Sequence, residues 1–323
     1  MDVAASYTRF AREEARSKSP TYERLALEVV GSAVARELLE SLPPAKRQPN
    51  LLFASIRYLG GDVSRGDHVD VLLRRDFERI RQCMLQRSTQ TNEPGRCATL
   101  LPYLAPFEEP IALIEVGAAG GLCLYPDQFE YDYGGVRVTS RDPRNIPRPR
   151  FPCAVSDRHL VPQRVPDVAF RAGVDLHPVD LSDESHIRWL TALVWPEHAE
   201  RAARLRLAID TVAALGPHVV QGDLIDTLPD LVHRAAPHGR VVVFHSAVLC
   251  YLPATRRAEF QALVRSLPVT WISNEAPGVV AGLDAPSPPD KPSFLVAVDG
   301  RTVAYADPHG AWLEPLTGWH SGS

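Results

Sequence analysis

The sequence contains no long apolar run. Across its 323 residues, no segment approaches the roughly 18 consecutive apolar residues that indicate a membrane-spanning helix. The N-terminal stretch MDVAASYTRFAREEARS is charged within its first two residues and lacks the apolar core of a signal peptide. We therefore expect a soluble, cytoplasmic protein without a membrane partner.

An excess of positive charge is also missing. Lys and Arg total 35, Asp and Glu total 39, and the formal net charge is −4. No global basic field would attract the phosphates of DNA or RNA. Nucleic acid is therefore an unlikely partner.

The cysteines do not form a metal-binding pattern. Five cysteines are widely spaced, without a C-x-x-C pair and without a nearby H-x-x-x-H pair. An odd number of isolated cysteines predicts reduced thiols and no structural zinc. The five are Cys83, Cys97, Cys123, Cys153 and Cys250.

Residues 1–105 have the pattern of a helical region. Ser19 followed by Pro20 is typical of a helix start. A longer amphipathic helix is predicted over residues 69–84, with arginines mostly on its polar side. We expect this region to pack on a sheet-containing core that spans residues 106–323.

The stretch IALIEVGAAGGLCL, residues 111–124, changes character abruptly. An apolar run suited to a buried parallel strand ends at Val116. Five residues with one side-chain carbon or none follow, and backbone N–H groups in such a turn can approach a ligand closely. The apolar residues after Gly121 predict a helix whose N-terminus points at the same place. This arrangement is typical of a nucleotide-type cofactor site.

The glycine spacing discriminates among cofactors. A dinucleotide fingerprint would need glycine in place of Ala119, and no G-K-[ST] of a P-loop follows. The acid and small residues at Glu115, Gly117, Ala119 and Gly121 instead resemble motif I, E/D-x-G-x-G-x-G, of class I S-adenosylmethionine (SAM)-dependent methyltransferases. The resemblance implies SAM as cofactor, held in part by these four residues, with alanine at the middle glycine.

Acids at the ends of two later strands are further cofactor candidates. Asp175 ends the predicted strand 168–176, where Rossmann-like folds bind the ribose hydroxyls. It lies much farther from the glycine turn than the usual ~20 residues, so residues 125–167 must be an insertion, rich in proline and arginine and suited to a lid. Asp132 is the fallback for the ribose.

The third strand of the series, residues 218–223, ends in Asp223. In the methyltransferase family, an Asp followed by an apolar residue at this place holds the adenine amino group and packs against its face. The resemblance implies these roles for Asp223 and Leu224. The alternative is that Asp223 only caps the following helix.

Residues 240–246, RVVVFHS, give the strongest buried-strand pattern, and the strand end would lie beside the glycine turn. His245 can accept a proton near neutral pH. Glu275 follows the next predicted strand, together with Asn274, a candidate substrate ligand. Ser246 lacks the glycines of a G-x-S-x-G nucleophile elbow, which argues against a hydrolase.

The polar segment STQTNEPGRC, residues 88–97, precedes the first strand and is well placed to close over a ligand. Among its residues, Asn92, Glu93 and Arg96 are candidate substrate ligands. The alternative is a connection in which Asn92 and Glu93 cap a helix starting near Pro94. Gln90 and Thr91 are further candidates of the same segment.

Near the C-terminus, Asp299-Gly300 between two apolar stretches is a strong hairpin signal. Five β/α units that end in an antiparallel hairpin are typical of class I methyltransferases, in which the last strand inserts antiparallel to the rest. We predict an α/β fold: a Rossmann-like methyltransferase sheet with a C-terminal antiparallel hairpin, preceded by an N-terminal helical region.

A narrower resemblance covers essentially the whole chain. The segments LPPAKRQPNLLFASIRYLGG, TQTNEPGRC, EVGAAGGLCL, VFHSAVLCYLP and WISNE are similar to those of the bacterial DUF2332 family. The family carries no assigned function, so functional expectations rest on the fold and the glycine turn.

The leading functional hypothesis is a SAM-dependent methyltransferase acting on a small molecule, with His245 or Glu275 as the base. The alternative is a SAM- or nucleotide-binding regulatory or interaction protein without transfer activity, to which Ala119 and the displaced second strand point. The methyl acceptor and the oligomeric state are left open by the sequence.

Overall fold

The computed structural model describes residues 2–90, 92–140, 147–283 and 288–316. Thr91, one of the predicted substrate-side residues, lies outside the described residues. The chain forms two compact units. We call Met1–Thr91 with Ser182–Ala203 the helical unit, and Asn92–Leu181 with Arg204–Ser323 the sheet unit.

The α-helices are numbered in chain order. They are α1 (Val3–Arg9), α2 (Pro20–Gly31), α3 (Ala33–Glu40), α4 (Pro49–Tyr58), α5 (Val69–Gln86), α6 (Cys97–Leu104), α7 (Glu184–Leu193), α8 (Ala199–Ala213), α9 (Leu224–Ala235) and α10 (Ala254–Ser266). None of the helices in the described part of the chain is both long enough and apolar enough to cross a membrane.

The strands form two sheets. They are β1 (Ile111–Val116), β2 (Glu130–Tyr133), β3 (Val136–Thr139), β4 (Arg150–Pro152), β5 (Ala154–Val155), β6 (Val168–Asp175), β7 (Val219–Gln221), β8 (Arg240–Ser246), β9 (Thr270–Glu275), β10 (Phe294–Val298), β11 (Arg301–Ala306) and β12 (Trp312–Pro315). The main sheet has the order β5-β12-β11-β10-β9-β8-β1-β6-β7, and the small sheet has the order β3-β2-β4.

The helical unit is organised around Phe53, which is fully buried on α4. The Tyr22 ring lies 4.8 Å and the Tyr7 ring 6.2 Å from it, centroid to centroid. The predicted start of α2 is confirmed: the Ser19 hydroxyl accepts a hydrogen bond from the Tyr22 N–H, and Pro20 occupies the first turn. From the later segment, Trp189 of α7 joins this unit and donates to the Ser88 carbonyl at 3.0 Å.

The main sheet is mostly parallel and has a switch point beside β1. From β1 the chain proceeds to β6 and β7 on one side, then crosses back to β8 and β9 on the other, and all four neighbouring pairs in this group are parallel. In such sheets, ligands bind in a crevice at the carboxyl ends of the strands where the order reverses. The switch point between β1 and β8 is therefore the expected position of a ligand site.

The predicted C-terminal hairpin is confirmed, with Asp299 and Gly300 at φ +49° and +78° in its turn. The strand that pairs antiparallel with β9 is β10, the first strand of the hairpin. In the methyltransferase layout expected from the sequence, the last strand takes that place. Here the chain continues as a meander through β11 and β12, because the tight turns join each strand to its neighbour.

The helix predicted after the glycine turn is wrong. Two short 3-10 turns, Leu122–Leu124 and Pro126–Gln128, follow the turn instead. Tyr125 lies between them at φ −119° and ψ 46°, outside the helical region. A residue before proline is disfavoured in the helical conformation. Pro126 therefore prevents a continuous α-helix, and only short turns form.

The region 125–167 is more ordered than its composition predicted. It contains the small sheet, in which Gly134-Gly135 form a two-residue hairpin turn with positive φ at both positions. The Tyr133 hydroxyl donates to the Ala98 carbonyl of α6 at 2.6 Å. Residues 141–146 of this region lie outside the described residues, and its lid role stays a prediction.

The two faces of the main sheet are covered differently. Ile114 and Val116 point to the same face as Val243 and pack in the apolar core beneath α9 and α10. Successive side chains of a strand alternate between faces, so Glu115 points to the opposite face. On that face Arg171 of β6 donates to the Leu124 carbonyl at 2.7 Å.

Candidate functional site

The glycine turn lies at the carboxyl end of β1, at the switch point. Gly117, Ala119 and Gly121 have φ of +75°, +49° and +73°. Alternating left-handed residues are typical of turns whose N–H groups converge on an anion or a polar ligand. Ala119 adopts the left-handed conformation of the motif glycine that it replaces, at a cost of about 1–2 kcal/mol.

Asp175 fixes this turn. One carboxylate oxygen accepts from the Ala119 N–H at 2.8 Å, and the other accepts from the His177 N–H at 2.8 Å. The end of β6 is thereby held beside the end of β1. The structure brings Asp175 to the turn, and its ribose-binding role stays a prediction.

The side-chain space beside the turn is filled by protein. A Cβ added at Gly117 would collide with the Val248 side chain, and one at Gly120 would lie 2.7 Å from Leu181. The Asn92 amide donates to the Ala118 carbonyl at 3.2 Å. The turn is thus packed against its neighbours on the side-chain side, and the N–H groups of Gly117, Ala118 and Gly121 donate to backbone carbonyls.

Asp223 and Leu224 occupy structural positions at the start of α9. Asp223 is the N-cap and accepts from the Ile225 N–H at 2.8 Å, and it pairs with Arg256 at 2.8 Å. Partial burial raises its pKa, but these donors outweigh that effect and the net pKa is lowered. Leu224 packs in the core beneath the sheet. Asp223 therefore caps α9, which was the alternative from the sequence, and the adenine-binding roles of Asp223 and Leu224 stay predictions.

Asp132, the fallback ribose ligand, lies in β2 of the small sheet. Its carboxylate accepts from the Gly135 N–H at 2.7 Å and closes the hairpin. The acid is therefore part of the small sheet and does not follow a strand of the main sheet.

Glu115 is a buried carboxyl at the end of β1. It is 5% exposed, and its Oε2 has no hydrogen-bond partner among the described residues. Burial raises its pKa well above the usual value, the Cys123 thiol adds to this, and the Arg96 charge opposes it. The neutral acid is therefore favoured.

Arg96 reaches the same place from a 3-10 turn, Pro94–Arg96, that precedes α6. Its Nε donates to the Pro308 carbonyl at 2.8 Å and its Nη1 to the Ser246 carbonyl at 3.1 Å. Glu93 caps the turn through the Gly95 N–H at 3.1 Å. The predicted segment thus lies at the carboxyl end of β8, and Glu93 takes the capping role that was its alternative.

Asn274 lies at the end of β9, fully buried. Its amide nitrogen donates to the Ser246 hydroxyl at 3.1 Å. Its Oδ1 has no hydrogen-bond partner in the described part of the chain. With Glu115 and Arg96, it forms a buried polar cluster on the face of the sheet opposite α9 and α10; we call these three residues the polar cluster.

His245 and Glu275 meet on the other face. His245 Nδ1 lies 2.8 Å from Glu275 Oε1, and the two side chains are 0% and 2% exposed. The same oxygen accepts from the N–H groups of Val248 and Leu249 at 2.9 and 3.0 Å. Burial raises the pKa of Glu275, but the donors, led by His245, outweigh it and the net pKa is lowered.

The imidazole of His245 packs into the apolar core. Its ring lies 5.4 Å from that of Phe260 and 6.0 Å from that of Trp271, centroid to centroid. The structure therefore brings the two predicted bases together but directs His245 under α10. Their catalytic roles stay predictions.

Sequence reasoning missed the loop after β8. Ala247 has φ +56° and donates to the Asn274 carbonyl at 3.2 Å. Strained non-glycine residues concentrate at functional sites, and Ala247 and Ala119 lie at the ends of adjacent strands. Alanine carries no sequence signal for this conformation, so only the structure shows it.

In the described ranges, no group of three or more His, Cys, Asp and Glu side chains could hold a metal ion. The groups around the glycine turn are carboxyl, guanidinium, amide, hydroxyl and imidazole side chains.

Comparison with known proteins gives one match. No curated protein and no solved structure matches the chain significantly. The family model described as "Uncharacterized protein conserved in bacteria (DUF2332)" matches residues 4–66 and 62–314. Because the match covers well over half of the sequence, the chain belongs to the DUF2332 family.

Proposed function

We propose that the protein binds SAM at the carboxyl ends of β1, β6 and β7 and acts as a methyltransferase on a small molecule. The observation that carries the proposal is the turn after β1. Three left-handed residues alternate at Gly117, Ala119 and Gly121, the turn lies at the switch point of the sheet, and Asp175 is bonded to it. Most N–H groups of the turn already donate within the protein, so a polar nucleoside ligand would be held chiefly by the acids at the strand ends.

The small residues of the turn and the acids at the strand ends fit such a ligand. Packing by Val248 and Leu181 leaves the turn no room for side chains, which explains the small residues. Asp175 and Asp223 follow the ends of β6 and β7, and each carboxylate oxygen can accept more than one hydrogen bond. They would hold hydroxyl or amino groups while continuing to fix the turn and the start of α9.

When bound, SAM supplies a methyl group on a sulfonium that needs little activation. The chain's task is then to position the acceptor in line and to remove its proton. His245 and Glu275 remain the candidate bases. Both are buried, and Glu275 holds the loop Ser246–Leu252 through two N–H groups. Geometry comes before pKa in choosing a base, so we assign the pair first to positioning this loop; proton removal by either residue requires the loop to open.

A second candidate function is a SAM- or nucleotide-binding protein without transfer activity. One observation favours it: the glycine turn is followed by 3-10 turns and no α-helix, so the helix dipole that usually faces the ligand is missing.

Thermal unfolding with ligands tests the proposal. SAM and S-adenosylhomocysteine at millimolar concentration should raise the Tm, and NAD should not, because a ligand of the folded state stabilises by about 2.7 kcal/mol at 100-fold Kd. Asp175→Ala should lose the shift, and Asp210→Ala, a surface carboxylate on α8 paired with Arg206, should keep it.

The outcomes separate the alternatives. A shift with NAD and none with SAM would replace the proposal with a dehydrogenase. A SAM shift without any conversion of SAM to S-adenosylhomocysteine across a broad panel of small-molecule acceptors would favour the binding protein.

A further inference from the structure

We propose that Arg96 binds a carboxylate of the methyl acceptor, so that the acceptor is a small carboxylic acid. The inference rests on the proposed function and names the substrate class of the same site. It is carried by the burial of Arg96, by its hydrogen bonds and by its place in the sheet unit.

Arg96 is a buried cation without a counter-ion. It is 5% exposed and permanently charged. It forms no ion pair with a carboxylate of the described residues, and its hydrogen bonds go to two backbone carbonyls through Nε and Nη1. A buried charge is costly unless it is paired. The planar guanidinium, with Nη2 unused by the described residues, suits a carboxylate.

Glu115 forms no ion pair with Arg96 in the described part of the chain. It lies near enough for the Arg96 charge to oppose its pKa shift, yet burial dominates and favours the neutral acid. A neutral Glu115 is a hydrogen-bond donor, and its Oε2 has no partner among the described residues. Arg96, together with Glu115 in its neutral form, would donate hydrogen bonds to an anionic oxygen ligand.

The position of Arg96 favours the acceptor over the cofactor. Its partners belong to the β8 and β10–β12 side of the switch point: the Ser246 carbonyl, the Pro308 carbonyl and the Phe294 ring at 5.7 Å. The predicted cofactor acids, Asp175 and Asp223, follow β6 and β7 on the other side of β1. A ligand group at Arg96 therefore occupies the half of the crevice that the cofactor leaves for the acceptor.

The loop after β8 lies near Arg96 and is exposed at Cys250 and Tyr251. Burial raises the pKa of the Cys250 thiol, Glu275 adds to this, and the Arg96 charge acts against it. The neighbouring Tyr251 is 68% exposed. An acceptor can thus approach over this loop with its carboxylate toward Arg96.

Titration of matched carboxylates and amides tests the proposal. Benzoate and hexanoate are compared with benzamide and hexanamide by thermal shift and calorimetry, with S-adenosylhomocysteine present. We expect at least one carboxylate to bind and its amide not to bind. Arg96→Gln should weaken that binding about 10- to 100-fold, the usual range for a charge-assisted hydrogen bond, and Arg96→Lys should retain part of it.

Arg171→Gln is the matched control. Arg171 is another largely buried arginine of the sheet unit, but it has its own counter-ion, Asp127, at 2.8 Å. The control should lower stability and leave carboxylate affinity unchanged. If Arg96→Gln does not fold, the comparison of Arg96→Lys with wild type decides the question.

Three results would overturn the proposal: no carboxylate binds the wild type, an amide binds as well as its acid, or the affinity survives in Arg96→Gln. A fourth would reassign the carboxylate to the cofactor: Arg96→Gln weakens S-adenosylhomocysteine but not 5′-methylthioadenosine, which lacks the amino-acid part. If S-adenosylhomocysteine does not bind the wild type at all, the proposed function fails, and the carboxylate titration still decides the role of Arg96.

Discussion

The two faces of the main sheet each bury a glutamate, and they treat it in opposite ways. Glu275, on the face beneath α10, has its pKa lowered because His245 and two N–H groups outweigh the effect of burial. Glu115, on the opposite face, has its pKa raised because burial and the Cys123 thiol outweigh the opposing Arg96 charge. Similar burial thus lowers the pKa of one glutamate and raises that of the other, according to the donors that each one meets.

The difference shows which carboxylates at this edge of the sheet are held by backbone N–H groups. Asp175 and Asp223 resemble Glu275, because backbone N–H groups bond to them and they hold loops in place. Four buried atoms at this edge have no partner among the described residues: Glu115 Oε2, Asn274 Oδ1, Glu275 Oε2 and His245 Nε2. Buried polar atoms in native proteins are nearly always hydrogen-bonded, so such atoms indicate a place where a ligand or water completes the bonding.

Removing Glu275 should have the largest effect. Glu275→Ala leaves His245 and the N–H groups of Val248 and Leu249 without their acceptor, and we expect a loss of about 3–5 kcal/mol in the free energy of unfolding. Chemical denaturation at pH 7 measures it. Glu259→Ala, which removes an exposed carboxylate paired with Arg256 on α10, is the control and should cost at most about 1 kcal/mol.

The pH dependence of the same variant checks the cause. Because the folded pKa of Glu275 is lowered, its contribution is fully present above its unfolded pKa of about 4.3 and is lost as the pH falls through the folded value. The difference between wild type and Glu275→Ala should therefore shrink in acid. A variant as stable as wild type at pH 7 would show that the His245–Glu275 pair does not hold the loop.

The two outer glycines of the glycine turn should respond differently to substitution by alanine. Both have positive φ, but a Cβ at Gly117 also collides with Val248, whereas at Gly121 the nearest atom, on Val219, is 3.2 Å away. Gly121→Ala should cost about 1–2 kcal/mol from its backbone conformation, and Gly117→Ala about 2–4 kcal/mol with the added overpacking.

Thermal denaturation of the two alanine variants measures this difference. The double variant Gly117→Ala/Val248→Ala should recover part of the loss, because it removes the collision. Equal losses in the two single variants would mean that the turn and the loop after β8 do not pack against each other.

The sequence predicted the strands around the switch point because their signals are local. Continuous apolar runs mark β1 and β8, and Asp299-Gly300 marks the hairpin. The prediction failed after the glycine turn. The apolar residues Leu122–Leu124 predicted a helix, but Pro126 limits this segment to short turns. Gly134-Gly135 was an available hairpin signal within a region that composition alone described as irregular.

The candidate site was predictable only in part, because some of its hydrogen bonds depend on tertiary packing. Polar residues before β1 and at strand ends pointed to Arg96, Glu115 and Asn274. Which carboxylates find N–H donors depends on the loops that pack beside them, and no residue pattern shows that Val248 and Leu249 donate to Glu275. The left-handed Ala247 is likewise imposed by its surroundings.

Glu115→Gln should change the free energy of unfolding least, and it should raise it where the other variants lower it. Because the folded pKa of Glu115 is raised, wild type is relatively most stable below the unfolded pKa of about 4.3, and this contribution is lost as the pH rises toward the folded value. Glutamine is neutral at every pH and nearly isosteric. The stability of the variant should therefore match that of wild type near pH 4 and exceed it increasingly as the pH rises to 8.

Denaturation series from pH 4 to pH 9 on wild type, Glu115→Gln and Glu275→Gln measure this difference. The Glu115→Gln advantage should grow with pH, while Glu275→Gln should be at a disadvantage that grows with pH at the acid end. Parallel profiles for the two glutamine variants would contradict the assignment of a neutral acid to one face and a carboxylate to the other. If Glu115→Gln instead loses stability steadily with rising pH, Glu115 is the counter-ion of Arg96, and the guanidinium needs no carboxylate from the acceptor.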